Sequence, residues 1–151
     1  MSTAGTQAPE QVVIFRVAET WYALDVTRVR EIVEPGRMAV VPGAPPAVRG
    51  LATIRGSAIP VVDLAALFGG EAGTEATRVV VTSVGGGPVG LLVRDVDEVA
   101  VVDPATVQPF ALPGHRVEAF RGVIQQPGRL VLWADPDALI PGAVATLARA
   151  A

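Results

Sequence analysis

One histidine, His115, and no cysteine leave this chain with few of the side chains on which nucleophilic and metal chemistry depend. His115 lies in the loop-like stretch Leu112-Pro113-Gly114-His115-Arg116 with no thiol to activate, and Ser2, Ser57 and Ser83 sit in no nucleophile motif. Asp95, Asp97, Glu98 and Asp103 cluster along the chain. Their spacing is not that of an EF-hand loop, so they read as the solvated ends of a hairpin. Gly85-Gly86-Gly87-Pro88 would need a Gly-Lys-Ser/Thr opening a helix to cradle a phosphate. Here it joins two valine-rich runs, as a hairpin turn does. The expectation is a protein that is not an enzyme, with no cofactor and no metal, whose work is binding.

Arg55 should be held at an exposed corner, which by spacing alone reads as an ordinary hairpin tip with a solvated arginine. The stretch Arg49 to Leu64 reads as two extended segments folded back around Ile54-Arg55-Gly56-Ser57, because β-branched residues flank the corner and Gly56 can take the positive φ of a tight turn. Pro60 has no N–H to give a ladder, which places it at a sheet edge, at a bulge or facing away from its neighbour.

The remaining residues must supply the frame. A chain of 151 residues, 50% hydrophobic and 18% charged, is a globular domain with a sizeable core. Its 13 prolines and 16 glycines cut the apolar sequence into short pieces, the pattern of many strands and turns. The net charge of −3 is spread without runs of either sign, which argues against nucleic acid as a partner. No apolar run approaches the roughly 20 residues that span a bilayer, and residues 1–10 lack the form of a signal peptide, so no direct membrane insertion and a cytoplasmic location are expected.

In order, residues 1–11 read as a disordered lead-in, and Val12 to Val17 and Trp21 to Leu24 as a hairpin. Asp25 stands where a helix N-cap would, ahead of a predicted helix from Val26 to Glu34 whose apolar stripe is Val26, Val29 and Val33. Met38 to Val41 is a short strand, and Asp63 should cap a helical turn reaching Phe68. A flexible connector is placed near residues 69–76, between two halves of one domain spanning 12–141. Strands follow at Arg78 to Val84, Val89 to Val93, Val99 to Val102, Gly122 to Ile124 and Leu130 to Trp133, the last apolar at successive positions and so buried on both faces. Asp135-Pro136 opens a short helix, and residues 142–151 should be a weakly ordered tail.

The run Gly50 to Leu64, with its Arg55-Gly56 corner and Ile59-Pro60-Val61-Val62-Asp63-Leu64, resembles the signature segment of the CheW family, the chemotaxis coupling proteins. Thr53 stands where that pattern usually has Asn, removing an amide that could bond the turn. Val89-Gly90-Leu91-Leu92-Val93 and Ala119 to Ile140 extend the likeness in the right order. The resemblance implies an all-β fold with short helices, built as two small five-stranded β-barrels, roughly one per half of the chain, sharing an apolar interface.

It also implies a function: an adaptor recruited to receptor arrays, coupling chemoreceptor signalling tips to the regulatory domain of a CheA-type histidine kinase. By resemblance, Arg55, Gly56 and Glu31 belong to a kinase or receptor interface, with Glu31 close enough to pair with Arg55. Val29, Gly50, Val89, Gly90 and Leu91 would belong to a groove between the barrels that takes the receptor tip. The alternative is a module that binds a small ligand between its halves.

Overall fold

The computed structural model describes residues 8–69, 75–109 and 117–150; His115, the middle of the 69–76 connector and the first seven residues lie outside them. Eleven strands lie among the described residues: β1 (Glu10–Val17), β2 (Thr20–Asp25), β3 (Glu31–Val33), β4 (Met38–Ala39), β5 (Val48–Ile54), β6 (Ser57–Asp63), β7 (Arg78–Val84), β8 (Gly87–Val93), β9 (Asp95–Val102), β10 (Phe120–Gln126) and β11 (Arg129–Ala134). Three short helices accompany them: α1 (Leu64–Leu67), α2 (Pro136–Leu139) and α3 (Gly142–Ala150).

Two mixed sheets result. Sheet one has the order β10-β11-β2-β1-β9, and sheet two the order β3-β7-β8-β6-β5-β4. Expected as equal and five-stranded, they hold five and six strands, and neither order returns on itself as a closed barrel would. Sheet one nearly does: beyond β9, Gln108 exchanges backbone hydrogen bonds with Val123 of β10, at 3.0 and 2.7 Å. The division by halves is also corrected. Sheet one is built from both ends of the chain, with β2 and β11 paired in parallel, while sheet two is the continuous middle.

Period-two alternation sorts the apolar side chains into three cores. Along β1, Val12 and Ile14 point into a cluster with Ala23, Val131 and Trp133 inside the curl of sheet one. Along β7, Val79 and Val81 join Ile59, Val61 and Leu92 inside the curl of sheet two. The opposite faces, including Phe15, Tyr22, Leu64, Val80, Val89 and Leu91, meet in the largest cluster, between the sheets. Strands buried on both faces explain why the sequence is so rich in valine. On β11, however, Leu130 is exposed, while Val131 and Trp133 face the sheet-one core and Leu132 packs on the central cluster.

The predicted helix from Val26 to Glu34 is not formed. Asp25 makes no side-chain cap; a single 3₁₀ turn covers Val26–Arg28, and the chain then extends into β3. Val26, Thr27, Val29, Ile32 and Val33 are β-branched and stiff in a helix. β7 offers them a ladder, beginning with the Arg30 N–H donating to the Val81 carbonyl at 2.7 Å. The supposed stripe is therefore divided: Val29 packs on the central cluster and Val33 on the sheet-two core. Asp25 instead accepts from Trp133 Nε1 at 2.6 Å and from Arg121, whose guanidinium lies 3.8 Å over the Trp133 ring. A hydrogen bond from Arg121 to Glu10, outweighing the effect of burial, raises the Arg121 pKa above its ordinary value.

The tail differs as well. α3 is a formed helix with Val144, Ala145 and Ala148 buried in the central cluster, because i, i+1 and i+4 share one face. Its alanines are too small to have marked that face in the sequence.

Candidate functional site

Arg55 and Gly56 form the two-residue turn between β5 and β6, with φ of +50° and +79°. Two successive positive φ values match the right-handed twist of a hairpin, and the turn closes on the pair Ile54↔Ser57. Glycine adopts this conformation freely; an arginine in the left-handed region costs roughly 1–2 kcal/mol. The side chain it displays is 79% exposed, so the arginine is held out from the core by its own backbone.

Its partner comes from the far side of sheet two. Glu31 opens β3, at one edge of the sheet, and Arg55 tips the hairpin that ends near the other edge. Arg55 Nε donates to Glu31 Oε1 at 2.9 Å and to Oε2 at 3.1 Å, so the ion pair crosses the seam where the curled sheet fails to close. The pair takes part in lining an open concavity of about 540 Å³ together with Val33, Glu34, Arg37 and Ile54. Glu34 and Arg37 were not singled out in the sequence; they come to the site only because β3 is a strand and the following loop turns beside it.

The rest of the signature positions this corner. Pro60, in an interior strand, falls one residue before β6 begins to pair with β8 at Val61, so its missing N–H costs no bond to that neighbour. Asp63, 3% exposed, accepts from the Ala65 and Ala66 N–H groups at 3.1 and 3.3 Å and so caps α1, while Arg49 donates to its other oxygen at 3.1 Å.

The expected groove residues are placed differently. Val29 is half-buried against the central cluster, at the entry to β3. Val89 and Leu91 are 0% exposed in that same cluster, and Gly90 between them is buried facing the sheet-two core. A Cβ at Gly90 would approach Val79 Cγ1 to 2.7 Å. Gly50 is buried too, and a Cβ there would meet the Ala39 carbonyl oxygen at 2.6 Å. Without a partner, none of these four positions lines an open surface. They are interior, two of them glycines because neighbouring atoms leave no room.

A second arginine does for sheet one what Arg55 does for sheet two. Arg129, just after the Pro127-Gly128 turn, donates to Asp97 at 2.9 Å and Glu98 at 2.8 Å on the edge strand β9, and lies 4.2 Å over the Trp21 ring. Asp97 and Glu98 are therefore paired, not simply solvated, and Asp97 occupies a bulge opposite Ile14 and Phe15.

With the geometry described, likeness to known proteins can be judged. The CheW-like domain family matches residues 11–144. The chain is 30% identical over 141 residues to the chemotaxis protein CheW of Rhizobium meliloti (strain 1021), covering 90% of each. It is 25% identical over 142 residues to the chemotaxis protein CheW of Bacillus subtilis (strain 168), covering 91% of each. Among solved structures, the scaffolding protein TtCheW from Thermoanaerobacter tengcongensis superposes with a TM-score of 0.80 at 25% identity, over 89% of this chain and 90% of that one. A two-sheet fold, a signature hairpin displaying Arg55 and a match that runs nearly end to end agree: the chain belongs to the CheW family of chemotaxis coupling proteins.

Proposed function

We propose that this protein is a cytoplasmic adaptor that couples the signalling tips of chemoreceptors to the regulatory domain of a CheA-type histidine kinase, by protein–protein contact without catalysis, and is recruited to receptor arrays. The observation that carries the reading is the exposed, conformationally strained Arg55 held across the sheet-two seam by Glu31. Strain at a surface residue is retained where the surrounding structure holds a side chain in position for use. Arg55, Gly56 and Glu31, with the concavity that Arg55 and Glu31 help line together with apolar Val33 and Ile54, present a charged corner suited to another folded domain.

The receptor tip, a helical hairpin, would meet the protein where Val29 reaches the surface beside the central cluster, using a few apolar anchors ringed by polar groups. The small-ligand reading has less support, because the space between the sheets is filled by Phe15, Tyr22, Leu64, Leu91 and Leu139. Among the described residues no helix is long and apolar enough to cross a membrane, so attachment to arrays would pass through the receptors.

Co-sedimentation with receptor-bearing membranes and a CheA-type kinase tests the proposal. The expected result is that kinase enters the pellet only when this protein is present. Kinase recruitment that is the same without it would overturn the reading.

A further inference from the structure

α3 is an unusual occupant of the central cluster. It packs against β8 and β6, the strands that carry Val89, Leu91 and Val62 into that cluster. Among its described side chains, those buried are Val144, Ala145 and Ala148. Contact is close because of what both surfaces lack: a Cβ at Gly87 of β8 would come within 2.8 Å of the Ala148 carbonyl carbon and 2.9 Å of its oxygen. The helix starts immediately after Pro141, and its first residue is Gly142, where a Cβ would meet nothing within 4 Å outside the helix's own backbone and its chain neighbours. The family match ends at residue 144, which leaves Ala145 and Ala148 beyond it.

We propose that α3 is a built-in stand-in for a partner helix: it covers the β8 face of the central cluster and swings away when the receptor's helical tip takes its place. This rests on the adaptor reading given above. It also accounts for the burial of Val89 and Leu91, which the family resemblance assigns to the receptor groove. Helices bind apolar grooves through large anchors. A helix anchored by valine and alanine buries little area, so a partner bearing leucine or phenylalanine at the same spacing gains more from the same face. What favours α3 is its tether, which keeps it at high local concentration. The consequence is an affinity threshold: if α3 is docked nine-tenths of the time, the apparent receptor affinity falls about tenfold.

Two variants release the helix from opposite sides. Gly87→Ala pushes Ala148 off the strand, and Ala148→Asp places a carboxylate in the buried contact that reaches water once α3 detaches. Because the chain has no cysteine, Thr146→Cys on the exposed side of α3 gives a single site for a spin label. The probe is a soluble chemoreceptor tip fragment, trimerised by a coiled coil, added to the full chain. The expected result is that both variants, folded by circular dichroism, bind the fragment about tenfold more tightly, and that the label on the otherwise unchanged chain gains mobility as the fragment binds. Parental affinity in the folded variants, with a label unmoved by a bound fragment, would overturn the inference and leave the adaptor reading standing. If Gly87→Ala does not fold, Ala148→Asp decides. No binding of the fragment to any form, parent included, would overturn both.

Discussion

Arg55 in the β5–β6 turn and Glu31 on β3 belong to parts of sheet two that are not neighbours in its strand order, yet the Arg55 Nε is held 2.9 and 3.1 Å from the two carboxylate oxygens. With Arg55 79% exposed, such a pair contributes at most about 1 kcal/mol to folding, against a comparable backbone cost at the turn. Arg55→Ala should therefore leave the melting temperature nearly unchanged while lowering kinase activation in a reconstituted receptor–kinase mixture. Full activation by the variant would remove Arg55 from the interface.

Charge reversal at both positions tests whether the pair acts as a unit. Glu31→Arg combined with Arg55→Glu should recover part of the kinase binding lost in either single reversal, since a double-mutant cycle isolates the pairing energy. Losses that simply add would show that each residue meets the partner independently.

Val29 is half-buried at the entry to β3, so a charge there has a route to water in the free protein. The expectation for Val29→Glu is a folded domain with weakened receptor binding, because a partner covering that position would bury an unpaired carboxylate at a cost of several kcal/mol. Thermal melts read beside receptor pull-downs separate the outcomes. A folded variant that binds normally argues against the contact, and an unfolded one makes Val29 ordinary core.

Gly90 should behave differently from Val29. Its missing Cβ makes room for Val79 and Val61, so Gly90→Ala overpacks the sheet-two core and is expected to lower stability by about 1–3 kcal/mol in urea titration. Any loss of partner binding should follow the loss of fold. A fully stable variant would mean that the strands yield more easily than their packing indicates.

Tyr22 gives the chain a pH response that can be assigned to one residue. It is 8% exposed and stacked 4.9 Å from Phe68, and burial raises its pKa, outweighing a hydrogen bond with Thr20 that lowers it. In the unfolded chain a tyrosine ionises near pH 10. The stabilisation that comes from keeping Tyr22 neutral is therefore complete below about pH 10 and is lost as pH rises through the higher folded value. The sequence holds one tyrosine, no cysteine and no lysine, and arginine stays charged throughout this range, so no other side chain titrates there. Stability measured from pH 9 to 12 should fall in the parent and stay level in Tyr22→Phe. An equal fall in both would place the alkaline transition elsewhere.

Strand content, hairpin turns and the Asp63 cap were legible in the sequence because each is a local matter: alternation, a glycine that can turn, a carboxylate ahead of a helix. The Arg55–Glu31 pair was reachable only through family resemblance, since nothing local brings β3 to the β5–β6 turn. Val26 to Val33 misled because an apolar spacing of three and four also fits a short coil followed by a strand. The decisive influence there was the open edge of β7, far along the chain. Burial of Gly50 and Gly90 was equally hidden, as a glycine carries no sign of whether it turns the chain or makes room for a neighbour.

The composition of sheet one bears on how the protein is born. During synthesis β1 and β2 emerge ahead of the other described strands, but β2 must wait for β11, the last of them, to fill its free edge. Sheet two, continuous from Glu31 to Val93, has all its strands available earlier. The early hairpin would thus spend most of translation with Ile14, Ala23 and Tyr22 short of their final cover, and its long-range closure makes folding slow. A chain stopped before β11 would leave the β2 edge unpaired, a row of backbone N–H and C=O groups open to pairing with other chains.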